Sequence, residues 1–328
     1  MNLKKKPISS SNKPFIGITL GDPSGIGPEV TAKALCAPEI RRLGRFFVIG
    51  DKPVLSQYFP KKISLPNVVI IDNNSTVRSF TRGSVNPHSG KAALGYINTA
   101  LYLLKEKCID ALVTAPVSKE SIKRAGLASF QGHTEYLAQK SKTKKVMMML
   151  LSDTLRISLV TRHFPLSKVS KAVTKKKVYE TLIQTHNCLK DYFRIKSPKI
   201  GVCALNPHAG EGGLLGNEEQ ETILPAIRLA RRKNRSISDP LPADTLFCNA
   251  RYKQFDAIVA MYHDQGMMPL KTIGFKNAVN LSYGLPFIRT SPAHGTGFDI
   301  AGKGVADPTS MIEAIKLACR LSRNSKKQ

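Results

Sequence analysis

Three histidines in this sequence share one local setting. His163 follows Ile157-Ser-Leu-Val-Thr161, His208 follows Lys199-Ile-Gly-Val-Cys-Ala-Leu205, and His263 follows Phe255-Asp-Ala-Ile-Val-Ala-Met261. Each preceding run is apolar and of strand length, and turn residues follow, so the spacing predicts strands that deliver an imidazole at their carboxyl ends. Ligands of open α/β sheets bind at those ends. Imidazoles collected there are candidate ligands for a divalent metal, although each alone reads equally well as a capped or buried histidine. Asp264 adjoins His263, and Asp244 falls in the first turn of a helix after Pro240-Leu-Pro-Ala243. Both are candidates for orienting metal ligands, or for capping a turn and a helix.

Other residues suit an anionic substrate. Gln131-Gly-His-Thr-Glu135 opens a short helix, placing His133 and Thr134 beside backbone N–H groups that attract anions. The alternative there is a plain cap by Thr134. Lys271 and Arg289 are cationic anchors, or surface ion-pair residues. Thr114, Ser118 and Lys119 lie where a strand gives way to a helix. Gly21-Asp-Pro-Ser-Gly-Ile-Gly-Pro-Glu29 follows the first strand, but its spacing fits neither dinucleotide nor Walker fingerprints. It reads as a strand-to-helix turn, with Pro28 early in the helix, that also faces the cleft. A second Gly-rich stretch, Pro292–Pro308, precedes the last helix.

The elements that must position these residues alternate. Strands are expected at 15–20, 45–50, 67–72, 110–115, 146–151, 155–160, 199–205 and 255–261, after which come Asn277–Leu281 and Gly284–Ser291. Helices are expected to follow residue 28, and over 89–104, 170–189, 217–232 and 309–323. The alternation implies a mostly parallel α/β architecture, with one hairpin at 146–160. At 328 residues, two domains are the default. No apolar run approaches the roughly 18 residues of a membrane helix, and the basic start of the chain lacks an apolar signal segment. No membrane association is expected, and the expected address is cytoplasmic. The six cysteines form no Cys-x-x-Cys pair and read as reduced core residues. The formal charge of +27 raises nucleic acid as a partner, but the basic residues are scattered and no nucleic-acid-binding motif accompanies them. Nucleic acid is therefore not the expected partner; a basic surface that attracts phosphorylated substrates is.

Gly21–Glu29, Gln131–Glu135, Asn206-Pro-His-Ala-Gly-Glu211, Pro242-Ala-Asp-Thr245, Tyr262-His-Asp-Gln-Gly266 and Gly284-Leu-Pro-Phe-Ile-Arg-Thr290 occur together and in this order. The set closely resembles the 4-hydroxythreonine-4-phosphate dehydrogenase family of vitamin B6 biosynthesis, over nearly the whole chain. The loop His294–Gly304 is also similar to the cofactor loop of isocitrate and isopropylmalate dehydrogenases. The resemblance implies two α/β/α domains with a central cleft, one formed by 1–125 and 274–328 and the other by 126–273. It implies NAD-dependent oxidation of 4-phosphooxy-L-threonine at its C3 hydroxyl, then decarboxylation to 3-amino-2-oxopropyl phosphate. It implies one divalent metal ion per active site (zinc, cobalt or magnesium) and a homodimer whose metal sites draw on both subunits. His163, His208 and His263 match the family's metal ligands. His133, Thr134, Lys271, Asn280 and Arg289 match its substrate-binding positions. Lys271, Asp244 and Asp264 are the candidate catalytic residues. Gly295, Thr296, Asp299 and Gly302, with Gly212 and Gly213, are the candidates for holding NAD. A threonate or erythronate 4-phosphate dehydrogenase would share all of this except recognition of the amino group. A nucleic-acid-binding protein on an inactive dehydrogenase fold, and a transferase on a related fold, are more remote alternatives.

Overall fold

The computed structural model describes residues 13–60, 64–75, 81–152, 154–274 and 276–325. Residues 1–13, whose polar, basic sequence reads as a flexible tail, lie, except for Lys13, outside the described residues, as does Asp153 of the expected hairpin turn. The strands are β1 (Phe15–Thr19), β2 (Arg45–Gly50), β3 (Val68–Asp72), β4 (Ala111–Thr114), β5 (Met147–Leu151), β6 (Arg156–Leu159), β7 (Ile200–Cys203), β8 (Ile237–Leu241), β9 (Ala257–Ala260), β10 (Val279–Tyr283) and β11 (Ile288–Pro292).

The chain divides into two compact units, Met1–Val146 with Leu285–Gln328, and Met147–Gly284. In the first unit the strands run β3-β2-β1-β4-β11, all parallel. Every residue of β1, β4 and β11 is buried, so both faces of this sheet are covered, as parallel sheets require. The helix Pro87–Lys105 packs on β1, β2 and β4, and the helix Thr309–Ser325 on β1, β4 and β11. The first of these helices starts where Asn86 accepts from the His88 and Ser89 amides, with Pro87 in the first turn.

In the second unit the order is β10-β5-β6-β9-β7-β8. β5 is antiparallel to both β10 and β6, giving the expected hairpin, and the remaining pairs are parallel. β7 and β9 are buried throughout, matching their unbroken apolar sequences. β8 was not expected, because Asp239-Pro240 reads as a breaker. It occupies the sheet edge, where a proline costs no ladder hydrogen bond on its outer side. The single helix expected over 170–189 is interrupted: Val169–Ala172 ends, and Thr174 caps a new helix Lys175–Asp191 by accepting from the Lys177 amide.

The contacts place the chain crossings after Val146 and Gly284, later than the expected 125 and 273. The helix His133–Lys140 belongs with the first unit, where the Tyr136 hydroxyl donates to Asn98 Oδ1 (2.7 Å) on the long helix. β10 belongs with the second unit through its pairing with β5. Among the described residues, no helix is long and apolar enough to cross a membrane. The six cysteines are unbridged, and four of them are buried.

Candidate active site

The second unit carries the three histidines, each after its expected strand. His163 follows β6, His208 follows β7, and His263 follows β9 as the first residue of the helix His263–Gly274. The His163 and His263 rings face each other with centroids 5.8 Å apart. His263 Nδ1 lies 2.7 Å from Asp264 Oδ1, and His208 Nδ1 lies 2.7 Å from Glu211 Oε1. A carboxylate on Nδ1 fixes the tautomer that leaves Nε2 as a lone-pair donor, the arrangement typical of metal-ligating imidazoles. Asp264 thus bonds the imidazole of its neighbour His263. Asp244 does not hydrogen-bond an imidazole among the described residues; Glu211, not singled out from sequence, takes that part for His208. The Glu211 hydrogen bond and charge raise the His208 pKa, with a smaller contribution from Asp244.

His208, Asp244, Tyr262, Asp264, Gln265 and Met268 line one cleft of about 570 Å³ within this unit. The donors suit a divalent transition metal in kind: imidazole nitrogens, with the His208 and His263 tautomers pinned by carboxylates. Within this chain, however, no three His, Cys, Asp or Glu residues of the described set lie close enough together to hold an ion. His163 and His263 are brought together, and His208 does not join them.

The loop bearing His208 has an uncommon backbone. Five consecutive residues, His208 to Gly212, have φ between 43° and 80°. Non-glycine residues pay roughly 1–2 kcal/mol each for this left-handed conformation. Glu219, only 3% exposed, offsets that cost. Its Oε1 accepts from the Leu205 and Asn206 amides (2.8 Å each), and its Oε2 from Asn206 Nδ2 (2.9 Å). Glu219 starts a π-helical turn (Glu219–Ile223), a widening often found at functional sites. Glu219→Ala is expected to destabilise this loop by about 1–3 kcal/mol for each buried donor left unpaired. Thermal unfolding together with metal retention after dialysis checks this; an unchanged Tm and metal content would remove Glu219 from the site's architecture.

Lys271 lies exposed in the last turn of the helix His263–Gly274. Asn280 sits on β10, and its buried Oδ1 has no hydrogen-bond partner.

The first unit carries the anion-binding candidates. Arg289, on β11, is 3% exposed, and its Nε and Nη2 donate to Thr114 Oγ1 at the end of β4 (3.1 and 2.6 Å). Burial lowers its pKa to about 10, against the opposing pull of the Glu135 carboxylate. His133 begins the helix His133–Lys140. Burial first, and the Arg289 cation second, hold its imidazole well below the ordinary range, so it is neutral. Its Nε2 is buried without a hydrogen-bond partner. The cap of this helix is Gly132, without a side-chain hydrogen bond, so Thr134 is not the cap and lies buried in the first turn. Lys119 approaches the same place: a Cβ on Gly132 would stand 3.8 Å from its Nζ.

The Gly21–Glu29 turn does not form an open cradle. Residues 21–30 are all buried, and the turn supports the late loop instead. The Ile26 amide donates to Thr296 O (2.9 Å), and a Cβ on Gly25 would meet that same oxygen at 2.7 Å. Gly295, Thr296, Asp299 and Gly302 all lie on this late loop, Gly295 with open space where a Cβ would point. Gly212 and Gly213 lie in the second unit, on the loop after His208.

An α/β protein with histidines and carboxylates at its strand ends, and a buried arginine on a strand, has the makings of an enzyme for a small anionic substrate. Residues 42–318 match the family model described as "Pyridoxal phosphate biosynthetic protein PdxA". The chain is 42% identical to a 4-hydroxythreonine-4-phosphate dehydrogenase of Desulforapulum autotrophicum, covering 94% of this chain and 96% of that one. It is equally 42% identical to a D-threonate 4-phosphate dehydrogenase of Cupriavidus necator, covering 94% and 97%. Its structure is similar to that of a 4-hydroxythreonine-4-phosphate dehydrogenase from Klebsiella pneumoniae, with TM-score 0.84 and 34% identity over 94% of this chain and 100% of that one. The chain belongs to the PdxA family of dehydrogenases.

Proposed function

We propose that this chain oxidises 4-phosphooxy-L-threonine at its C3 hydroxyl with NAD, and that the product loses carbon dioxide to give 3-amino-2-oxopropyl phosphate for vitamin B6 biosynthesis. The observation that carries this reading is the pairing of His133 with Arg289. A neutral, half-buried imidazole whose buried Nε2 has no hydrogen-bond partner, beside a buried guanidinium, is a polar set prepared for an oxyanion. Arg289 and His133 bind one anionic group of the substrate, with Thr134 supplying its hydroxyl or amide. Lys271 pairs with a second anionic group and is the candidate for carrying a proton. Asn280 Oδ1 accepts from a substrate hydroxyl or ammonium.

His163, His208 and His263 are the residues to hold a divalent ion, with Asp264 and Glu211 fixing two of the imidazoles. When bound, the ion supplies positive charge that lowers the pKa of the substrate hydroxyl. NAD, held by the late loop, would supply the acceptor for the hydride from C3. A homodimer in which each metal site takes histidines from two subunits accords with the two-plus-one distribution of the histidines in one chain. The residues that hold the dinucleotide are Gly295, Thr296, Asp299 and Gly302.

The Cupriavidus necator relative, at the same identity, favours one second reading: oxidation of D-threonate 4-phosphate. NADH formation by the metal-loaded protein decides between them. Chelator-sensitive turnover of 4-phosphooxy-L-threonine over D-threonate and D-erythronate 4-phosphates is expected. Preference for a sugar-acid phosphate would retain the site assignments and change the substrate. Absence of turnover with all three would overturn the proposal.

A further inference from the structure

The late Gly-rich loop is fastened at two places, and both fastenings come from the first motif of the chain. At its front, Ile26 N–H donates to Thr296 O. At its back, Glu29 Oε1 accepts from the Ala306 amide (2.9 Å) and from Lys33 Nζ (2.7 Å). Lys33 Nζ also donates to Gly304 O and Ala306 O (2.8 Å each). Glu29 is 1% exposed, so this ion pair and its amide bond form where water competes little. The fastened segment includes Gly302 and Gly304, at φ of 79° and 74°. Such a segment has many alternative conformations when untied. Just before the front fastening, Gly295 faces open space, and the buried His294 Nε2 has no hydrogen-bond partner. Both features fit a polar ligand lying along the loop.

We infer that Glu29 and Lys33 are positioning residues for the nicotinamide dinucleotide: they hold the loop in its binding conformation without touching the cofactor. The inference rests on the reading above that residues 295–302 bind NAD. A loop ordered in advance does not lose that freedom on binding, so loosening it appears as weaker cofactor affinity. It leaves the anchors on β11 and the helix at His133 in place.

The test is NADH binding to the full-length, metal-loaded protein, followed by cofactor fluorescence, which no tryptophan obscures because the chain has none. Lys33→Met, at a partly exposed position that tolerates the change, is expected to weaken NADH binding at least about tenfold and raise KM for NAD equally. KM for the phosphorylated substrate should stay within about twofold. Lys33→Arg should restore most of the affinity, and amide exchange at 304–306 should quicken in Lys33→Met. Glu29→Gln, which keeps an acceptor but loses the charge, should fall between. Asp299→Ala is the control on the loop. If Asp299→Ala weakens NADH binding while Lys33→Met and Glu29→Gln do not, the positioning role is wrong and the loop assignment stands. If none of the three changes binding, both are wrong. Equal weakening of cofactor and substrate would show a general structural loss and also overturn the inference.

Discussion

Replacing Arg289 with methionine is expected to lower kcat/KM for the phosphorylated substrate by roughly 10²–10⁴. The estimate follows from two lost charge-assisted hydrogen bonds, each worth about 1.5–3 kcal/mol, with tenfold per 1.4 kcal/mol. Arg289 is 3% exposed, so no water takes its place cheaply, and Thr114 Oγ1 loses both of its guanidinium donors. Arg289→Lys keeps a charge without the planar fork and should recover only part of the loss. A second readout is independent of turnover. Arg289 helps depress the His133 pKa, so in Arg289→Met the imidazole should titrate closer to its ordinary 6.5, as followed by NMR. An unmoved His133 resonance and an unchanged kcat/KM would remove the pair from the site. The sign of the related pH effect is fixed. His133 stays neutral in the fold, whereas the unfolded chain takes up a proton at it near 6.5. Its contribution to stability is therefore complete above that pH and is lost progressively as the pH falls below it.

His208→Ala should abolish metal retention and activity together, with little change in unfolding temperature. The imidazole is 67% exposed and, among the described residues, bonds only Glu211, so its removal leaves no buried hole. Metal content after dialysis, circular dichroism and NADH formation report the three quantities separately. Glu211→Gln, which weakens the carboxylate behind the ring, should cost a smaller factor, roughly 10–100-fold in metal affinity. Stoichiometric metal and full turnover in His208→Ala would show that this histidine is no ligand.

Much of this arrangement was legible in the residues. The strands before His208 and His263 are unbroken apolar runs, and such runs are buried almost wherever they occur; the strand before His163, Arg156-Ile-Ser-Leu159, is buried except at Arg156. The Asp264 carboxylate lies next to its histidine in the chain, so local spacing revealed it. Glu211 is three residues from His208, but it reaches the ring only because the backbone turns left-handed there, which no periodicity announces. Glu219 was hidden for the same reason: its partners are the amides of Leu205 and Asn206, far along a loop. Arg289 offered no sign of burial, since arginine is ordinarily a surface residue and its partner Thr114 is distant in sequence. The stretch Gly21–Glu29 reads as a strand-to-helix turn whose glycines permit close approach. The close approach is real, but it is to the Thr296 backbone. β8 was missed because a proline weighs against a strand until the strand is known to be at an edge.

The order of the strands also bears on how the chain is made. β4 ends at Thr114, but its neighbour β11 begins only at Ile288, after the whole second unit has been synthesised. At roughly 5–20 residues per second, the ribosome takes on the order of 10 to 35 s to supply it. Throughout that interval the nascent first unit presents an unpaired edge on a strand that is buried in the finished fold, and lacks the helix Thr309–Ser325 that covers it. The second unit has all its own strands once β10 emerges, so it can close first. The first unit, which holds both chain ends, is completed last and is the part of the newborn chain most in need of a chaperone.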